Sequence, residues 1–312
     1  MSKSPRNVWS PVITPFGSDL SPDVGRLVNH CRWLLSQGVG LAVFGTNSEA
    51  NSLTVDEKVG LLEALVAAGI PADRLMPGTG SCTIDDTVTL SRRAVELGCA
   101  GVLMLPPFYY KGVSDEGLFR YYGEVIERIG DARLRVYLYH IPPVAQVSIS
   151  LQLVDRLITA YPSTVAGIKD SSGDWSNTQA LIDKFSGQGF QVYAGSERFL
   201  LATLRSGGAG CISATANVNP RAVAKLGETW QEPDADEQQA GLNRVRDIFE
   251  QFPMIPALKA TTGRYSGETD WRRTRPPLVE LSDDTSRELF ALLDAEHFKM
   301  PELKSREGVA DE

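Results

Sequence analysis

The stretch "VAGIKDSSGD", residues 165–174, ends an apolar, β-branched run on a lysine and then turns into small polar residues. Read as a strand, it places Val165, Gly167 and Lys169 on one face and Ala166, Ile168 and Asp170 on the other. Runs of the same kind recur at residues 8–16, 40–45, 74–80, 101–106, 135–141, 190–196 and 209–214, with helical patterns between them. Leu90, Ala94 and Leu97, for example, repeat at helical spacing between the third and fourth runs. Thr54 with Glu57, and Thr83 with Asp86, have the spacing of capping boxes that open helices. The pairs Gly38/Gly40, Gly98/Gly101 and Gly207/Gly210 fit helix ends followed by tight turns into strands. Eight βα units in this order predict an α/β fold: a (β/α)8 TIM barrel over residues 1–221, with its catalytic groups where the strands end. A doubly wound sheet is the alternative, but no G-x-G-x-x-G follows the first strand and no P-loop occurs.

Residues 222–298 read as helices broken by prolines, a C-terminal helical region packed on the barrel. Residues 299–312 are charged and predict a flexible tail. Of 312 residues, 42% are apolar and 22% charged, the balance of an ordinary soluble globular protein. The net charge of −8, with no basic stripe, argues against nucleic acid or an anionic membrane as partner. No run reaches the roughly 18 apolar residues of a membrane span, and the start lacks the apolar core of a signal peptide, so a cytoplasmic protein is expected. Cys31, Cys82, Cys99 and Cys211 have no C-x-x-C spacing and predict reduced thiols. His30, His140 and His297 have no neighbour at ligand spacing, so no metal site is expected.

If Lys169 faces the barrel interior, it ends its strand at the barrel mouth, and the small Gly167 beneath it leaves room for a long side chain. Burial disfavours an ammonium ion, and a neutral amine attacks a carbonyl carbon to form a Schiff base. The structural alternative is a lysine salt-bridged to Asp170 or Asp174. In the preceding strand, alternation sets Tyr137 and Tyr139 on one face and Val136, Leu138 and His140 on the other. Tyr139 then ends its strand beside Lys169, where a phenol can shuttle protons. Tyr137 reads equally as part of an aromatic core layer, and His140 as a structural residue facing the helices. The loop "GTNSEANSLT" (45–54) offers hydroxyls, amides and exposed backbone N–H groups suited to a small carboxylate. Turns of this composition are common, so alone it says little.

Together these stretches resemble the dihydrodipicolinate synthase and N-acetylneuraminate lyase family of pyruvate-dependent class I aldolases. "GTNSEANSLTVDEK" (45–58) is similar to a GTxGE loop, "PPFYY" (106–110) to a P-x-Y-Y segment and "YHIPP" (139–143) to a Y-N-x-P segment. "GIKDSSGD" (167–174) is similar to the lysine motif and "GCISATANVNP" (210–220) to the last barrel strand. The matches run in family order over residues 8–282. The resemblance implies that Lys169 forms the Schiff base and that Tyr139 relays protons. It implies that Thr46 and Asn47 hold a pyruvate-type carboxylate and that Gly195 and Ile212 line the pyruvyl pocket. Tyr109, with Tyr110 as the alternative, matches a tyrosine inserted into a neighbouring subunit's site, which implies a homo-oligomer, a tetramer or dimer. No metal or organic cofactor is implied.

Three positions depart from the family pattern. Val144 stands where dihydrodipicolinate synthases carry an arginine that grips the aldehyde substrate's carboxylate, so lysine biosynthesis is disfavoured. Asn47 replaces a hydroxyl residue of the proton relay. Ser48 replaces a loop glycine, with strain expected if that turn is left-handed. The function implied is a Schiff-base-forming aldolase or lyase acting on pyruvate or a hydroxylated 2-oxo acid; Ser196, Glu197 and Arg198 read either as partners of a hydroxylated or carboxylated tail or as solvated surface. Two alternatives stand beside it: a dehydratase or deaminase of a 2-oxo sugar acid or cyclic imino acid, and a 2-oxo-acid-binding regulatory barrel whose site has decayed.

Overall fold

The computed structural model describes residues 7–303. Seven strands form one parallel sheet: β1 Val8–Ser10, β2 Gly40–Leu41, β3 Val102–Met104, β4 Val136–His140, β5 Val165–Asp170, β6 Gln191–Ala194 and β7 Gly210–Ile212. Their order is β2-β1-β7-β6-β5-β4-β3, which leaves β2 and β3 at the two edges. The expected third strand, 74–80, is not a regular strand. It is an extended segment that joins those edges: Leu75 pairs with Leu41, and Gly78 with Leu103, both parallel. Met76 N donates to Leu41 O at 2.8 Å and Leu103 N to Pro77 O at 2.9 Å. Met76 N and Gly78 N face β2, so the N–H that Pro77 lacks is missing from the β3 side, where it shortens the pairing. With this segment the sheet closes into an eight-membered ring, a TIM barrel.

Among the described residues, eight helices of six residues or more alternate with the strands, from Val24–Ser36 to Pro220–Thr229, and the short Pro142–Ala145 helix follows β4. Thr54 and Glu57 form the expected reciprocal capping box. Thr83 accepts from Asp86 N, but the Asp86 carboxylate takes the Ser81 hydroxyl instead of closing a box. Gly38, Gly98 and Gly207 have φ of 94°, 82° and 89°, the left-handed geometry of helix ends. The eighth helix, Pro220–Thr229, contains the boundary expected at residue 221. Helices Ala235–Phe249, Met254–Ser266 and Asp283–Ala295 follow it. The start of the expected flexible tail is held: Met300 is buried, Trp33 Nε1 donates to Pro301 O at 2.9 Å, and Arg221 pairs with Glu302. The rest of that tail, 304–312, and the first six residues lie outside the described residues. All four cysteines are unpaired.

The barrel interior is filled by a layer of side chains from successive strands: Trp9, Ala42, Met76, Leu103, Tyr137, Tyr193 and Ile212. Gly167 belongs to this layer. A Cβ there would lie 2.7 Å from a ring carbon of Tyr137, so the space that a side chain would take is filled by that ring rather than left for Lys169. Tyr137 is thus a core residue, its hydroxyl donating to Gln191 at 2.7 Å. This plug forms the floor on which the strand ends stand.

Candidate active site

Strand register decides what meets above that floor. Tyr139 on β4 pairs with Lys169 on β5, so alternation delivers both side chains to the same layer. Lys169 is 4% exposed, and its Nζ lies 4.2 Å from the centre of the Tyr139 ring. The phenol oxygen shares a hydrogen bond of 3.1 Å with Thr46 Oγ1. Neither aspartate expected as a structural partner pairs with the lysine. Asp170 accepts from Ser172 N, Asn177 and Thr178, the last two at 3.0 and 2.6 Å. Asp174 caps helix Trp175–Phe185. No described carboxylate comes within 4.0 Å of Lys169 Nζ.

A second buried lysine gives the contrast. Lys259 is fully buried and pairs with the equally buried Glu49 while donating to Arg273 O at 2.6 Å. Burial pushes its amine down to about 8, against the opposing pull of Glu49. Glu49 also accepts from Arg275 N at 2.8 Å. The pair ties helix Met254–Ser266 to the loop that carries Thr46 and Asn47. Thr46–Ser48 forms a short helical turn, whose first N–H groups have no partner inside it. Ser48, where strain was expected, is not left-handed; Glu49 is, with φ of 56°. The Ser48 hydroxyl is buried and donates to Val12 O while accepting from Gly45 N at 3.2 Å. The serine therefore bolts the loop to the segment after β1, which a glycine would not do.

These groups open into a cavity of about 470 Å³ at the C-terminal ends of the strands. Thr46, Asn47, Tyr139, Lys169 and Gly195 all line it. Gly195 is required by a close approach: a Cβ would lie 2.1 Å from Ser171 Oγ. Ile212 does not line the cavity. It is fully buried in the barrel's inner layer, and Ala214, two residues further along the chain, takes the lining position. Tyr109 and Tyr110 are 74% and 72% exposed, packed edge to face, and neither lines this chain's own cavity. His140 is buried outside the cavity, accepting from Ile149 N at 3.0 Å; burial holds its imidazole below the usual range.

The segment after β6 behaves differently from expectation. Ser196 and Arg198 line the cavity, but Glu197 is turned inward and 1% exposed. Its carboxylate accepts from the hydroxyls of Ser213 and Thr215 and from Arg246 Nη1 at 3.3 Å. Sequence reasoning missed Arg246, Glu250, Met254 and Ile255, which complete the cavity from the C-terminal helices. Helical spacing could place Arg246 on a face of its helix, but nothing in the pattern says that this face meets a site built some 75 residues earlier.

The family model for the dihydrodipicolinate synthetase family matches residues 4–296. An uncharacterized DapA-like lyase from Chloroflexus aurantiacus is 34% identical over 283 residues, covering 90% of this chain and 93% of that one. The crystal structure of dihydrodipicolinate synthase from Agrobacterium tumefaciens matches with a TM-score of 0.86 at 33% identity, covering 93% of this chain and 99% of that chain. A prophage protein of the dihydrodipicolinic acid synthase family from E. coli K12, determined in complex with pyruvate, matches with a TM-score of 0.85 at 25% identity, covering 94% and 99%.

Proposed function

This chain belongs to the dihydrodipicolinate synthetase family of lyases and aldolases, and from that premise we propose that it is a Schiff-base-forming aldolase acting on pyruvate or a hydroxylated 2-oxo acid. The observation that carries this reading is Lys169: buried at a strand end, unpaired with any described carboxylate, and against the ring of Tyr139. A buried amine without a counter-ion is costly to maintain, and a chemical role is the return for that cost. The pyruvate seen with the E. coli family member is consistent with the substrate named.

In the proposed sequence, Lys169 Nζ adds to the C2 carbonyl of the 2-oxo acid. Water leaves, and an iminium ion forms. The iminium draws electrons from C3, so loss of a C3 proton gives an enamine. The enamine carbon bonds to an aldehyde carbon, the aldehyde oxygen takes up a proton, and water hydrolyses the iminium to release the product. Cleavage is the reverse. Tyr139, bonded to Thr46, relays the protons, and the substrate carboxylate sits on Thr46 and the backbone amides of Thr46 and Asn47. The reaction as proposed uses no metal or organic cofactor. Tyr109 reaches a neighbouring copy's cavity in a homo-oligomer, and the enzyme works in the cytoplasm; no described helix is long and apolar enough to cross a membrane.

The test is reductive trapping. Borohydride added with pyruvate is expected to leave a pyruvyl-derived mass on the peptide that carries Lys169. An unmodified lysine at saturating pyruvate overturns the proposal. Product analysis then separates cleavage, which yields pyruvate and an aldehyde, from dehydration or deamination, which do not split the carbon chain in this way.

A further inference from the structure

Away from Lys169, the cavity's walls are largely hydrocarbon. Ile141 and Val144 come from the segment after β4, Phe199 from the turn after β6, Met254 and Ile255 from the start of helix Met254–Ser266, and Leu278 from the segment beyond it. Trp175 packs against Phe199 with ring centroids 5.7 Å apart and 37° between planes, so this wall is a braced aromatic face. Val144 is 62% exposed and presents only methyl groups to the opening.

The charged groups at this end are already matched. Arg198 Nη2 is held by Asp247 at 2.6 Å and Glu250 at 2.7 Å. Arg246 is held by Glu250 at 2.7 Å and by Glu197 at 3.3 Å. Three carboxylates therefore surround two guanidinium groups. An anionic tail would meet no surplus of positive charge, because three carboxylates already offset these two guanidinium groups. A polyhydroxylated tail lying along Ile141, Val144, Phe199, Met254, Ile255 and Leu278 would find few partners there, because the polar lining away from Lys169 is confined to Ser171, Ser196 and the Arg198–Arg246–Glu250 group.

On the Schiff-base reading above, we infer that the aldehyde half of the reaction has an apolar, ring-sized body: an aromatic or branched aliphatic aldehyde, not a carboxylated, phosphorylated or polyhydroxylated one. The cavity, about 470 Å³, has room for such a body beside the pyruvyl unit. Carbon C3 of the lysine-bound enamine bonds to the aldehyde carbon. The aldehyde oxygen takes one proton and becomes the C4 hydroxyl, and water frees a 4-hydroxy-2-oxo acid with an apolar substituent on C4.

The experiment measures kcat/KM for condensation of pyruvate with butanal, hexanal, benzaldehyde, succinic semialdehyde, glyceraldehyde and glyceraldehyde 3-phosphate. The expected result is a rise of about fourfold per added methylene and a preference for benzaldehyde over each polar aldehyde of about tenfold or more. Val144→Arg, at an exposed position, should shift the order toward succinic semialdehyde. Borohydride trapping with pyruvate alone is run on the same preparation, because it reads Lys169 and is blind to the aldehyde. If trapping fails, the Schiff-base reading and this inference fall together. If trapping succeeds and a charged or hydroxylated aldehyde is preferred, or none of the six is condensed, this inference alone falls.

Discussion

Lys169 Nζ stands 4.2 Å from the centre of the Tyr139 ring, and no described carboxylate lies within ion-pairing distance of it. An amine taken out of water without a full set of partners costs the fold about 1–3 kcal/mol. Lys169→Met keeps the length and the contact with the ring while removing that cost. It should raise stability by about 1–2 kcal/mol, a gain of about 1.5–3 °C in Tm, and abolish the borohydride adduct. Calorimetry and peptide mass analysis check the two halves. A less stable variant would mean that the lysine has a compensating partner which this geometry lacks.

The Tyr139–Thr46 hydrogen bond predicts an unequal pair of losses. Tyr139→Phe removes the proton-carrying atom and should lower kcat by about 10²–10⁴-fold. Thr46→Val removes a group that orients the phenol and helps to hold the substrate carboxylate but carries no proton itself, so the loss in kcat should be about tenfold or less, with KM for pyruvate raised. Exchange of pyruvate methyl protons into deuterated water measures this half-reaction without any aldehyde. A smaller loss in Tyr139→Phe than in Thr46→Val would place the proton transfer on Thr46 rather than on the phenol.

What the sequence revealed, and what it hid, follows from the range of each interaction. The two-residue period of a strand is local, so alternation alone brought Lys169 and Tyr139 to one layer of one barrel mouth. The third strand was legible as an apolar run, but its pairing is reduced to one bridge on each side, which a run of residue types does not reveal. Glu197 looked like a residue for the substrate because it follows a strand end; the Ser213 and Thr215 hydroxyls that turn it inward come from the next βα unit. The left-handed residue of the loop is Glu49 and not Ser48, because which residue of a turn is left-handed depends on where the turn begins. The C-terminal wall was hidden for the same reason: Arg246 and Met254 become neighbours of Lys169 only through tertiary packing.

The buried Lys259–Glu49 pair predicts a loss felt in both stability and binding. Lys259→Met leaves the Glu49 carboxylate buried with little beyond the Arg275 N–H, and breaking a buried pair in this way costs about 3–5 kcal/mol. The double variant Glu49→Gln, Lys259→Met removes both charges and should recover a large part of that cost. Because Glu49 follows directly on the Thr46–Ser48 turn, the single variant should also raise KM for pyruvate more than it lowers kcat. Chemical denaturation and steady-state kinetics measure the two effects. A double variant no better than the sum of the singles would show that the pair is not coupled.

Arg275 and Glu57 predict the acid side of the stability profile. The Arg275 guanidinium beside Glu57 holds its carboxyl down to about 2, against an ordinary value of 4.5. Glu57 also accepts from Thr54 N at 2.8 Å, which a glutamine can still do, so Glu57→Gln removes the charge and keeps the helix cap. The folded protein keeps this proton off at pH values where the unfolded chain has taken it up. The pair's contribution is therefore complete above about pH 4.5 and is lost as the pH falls through about 2. Urea unfolding of the wild type and of Glu57→Gln, compared at steps of pH, should show a constant gap above about pH 5 that narrows below 4.5 and closes near 2. A gap that widens on acidification would reverse the sign of this linkage and remove the ion pair from the account of how the segment around Arg275 is held.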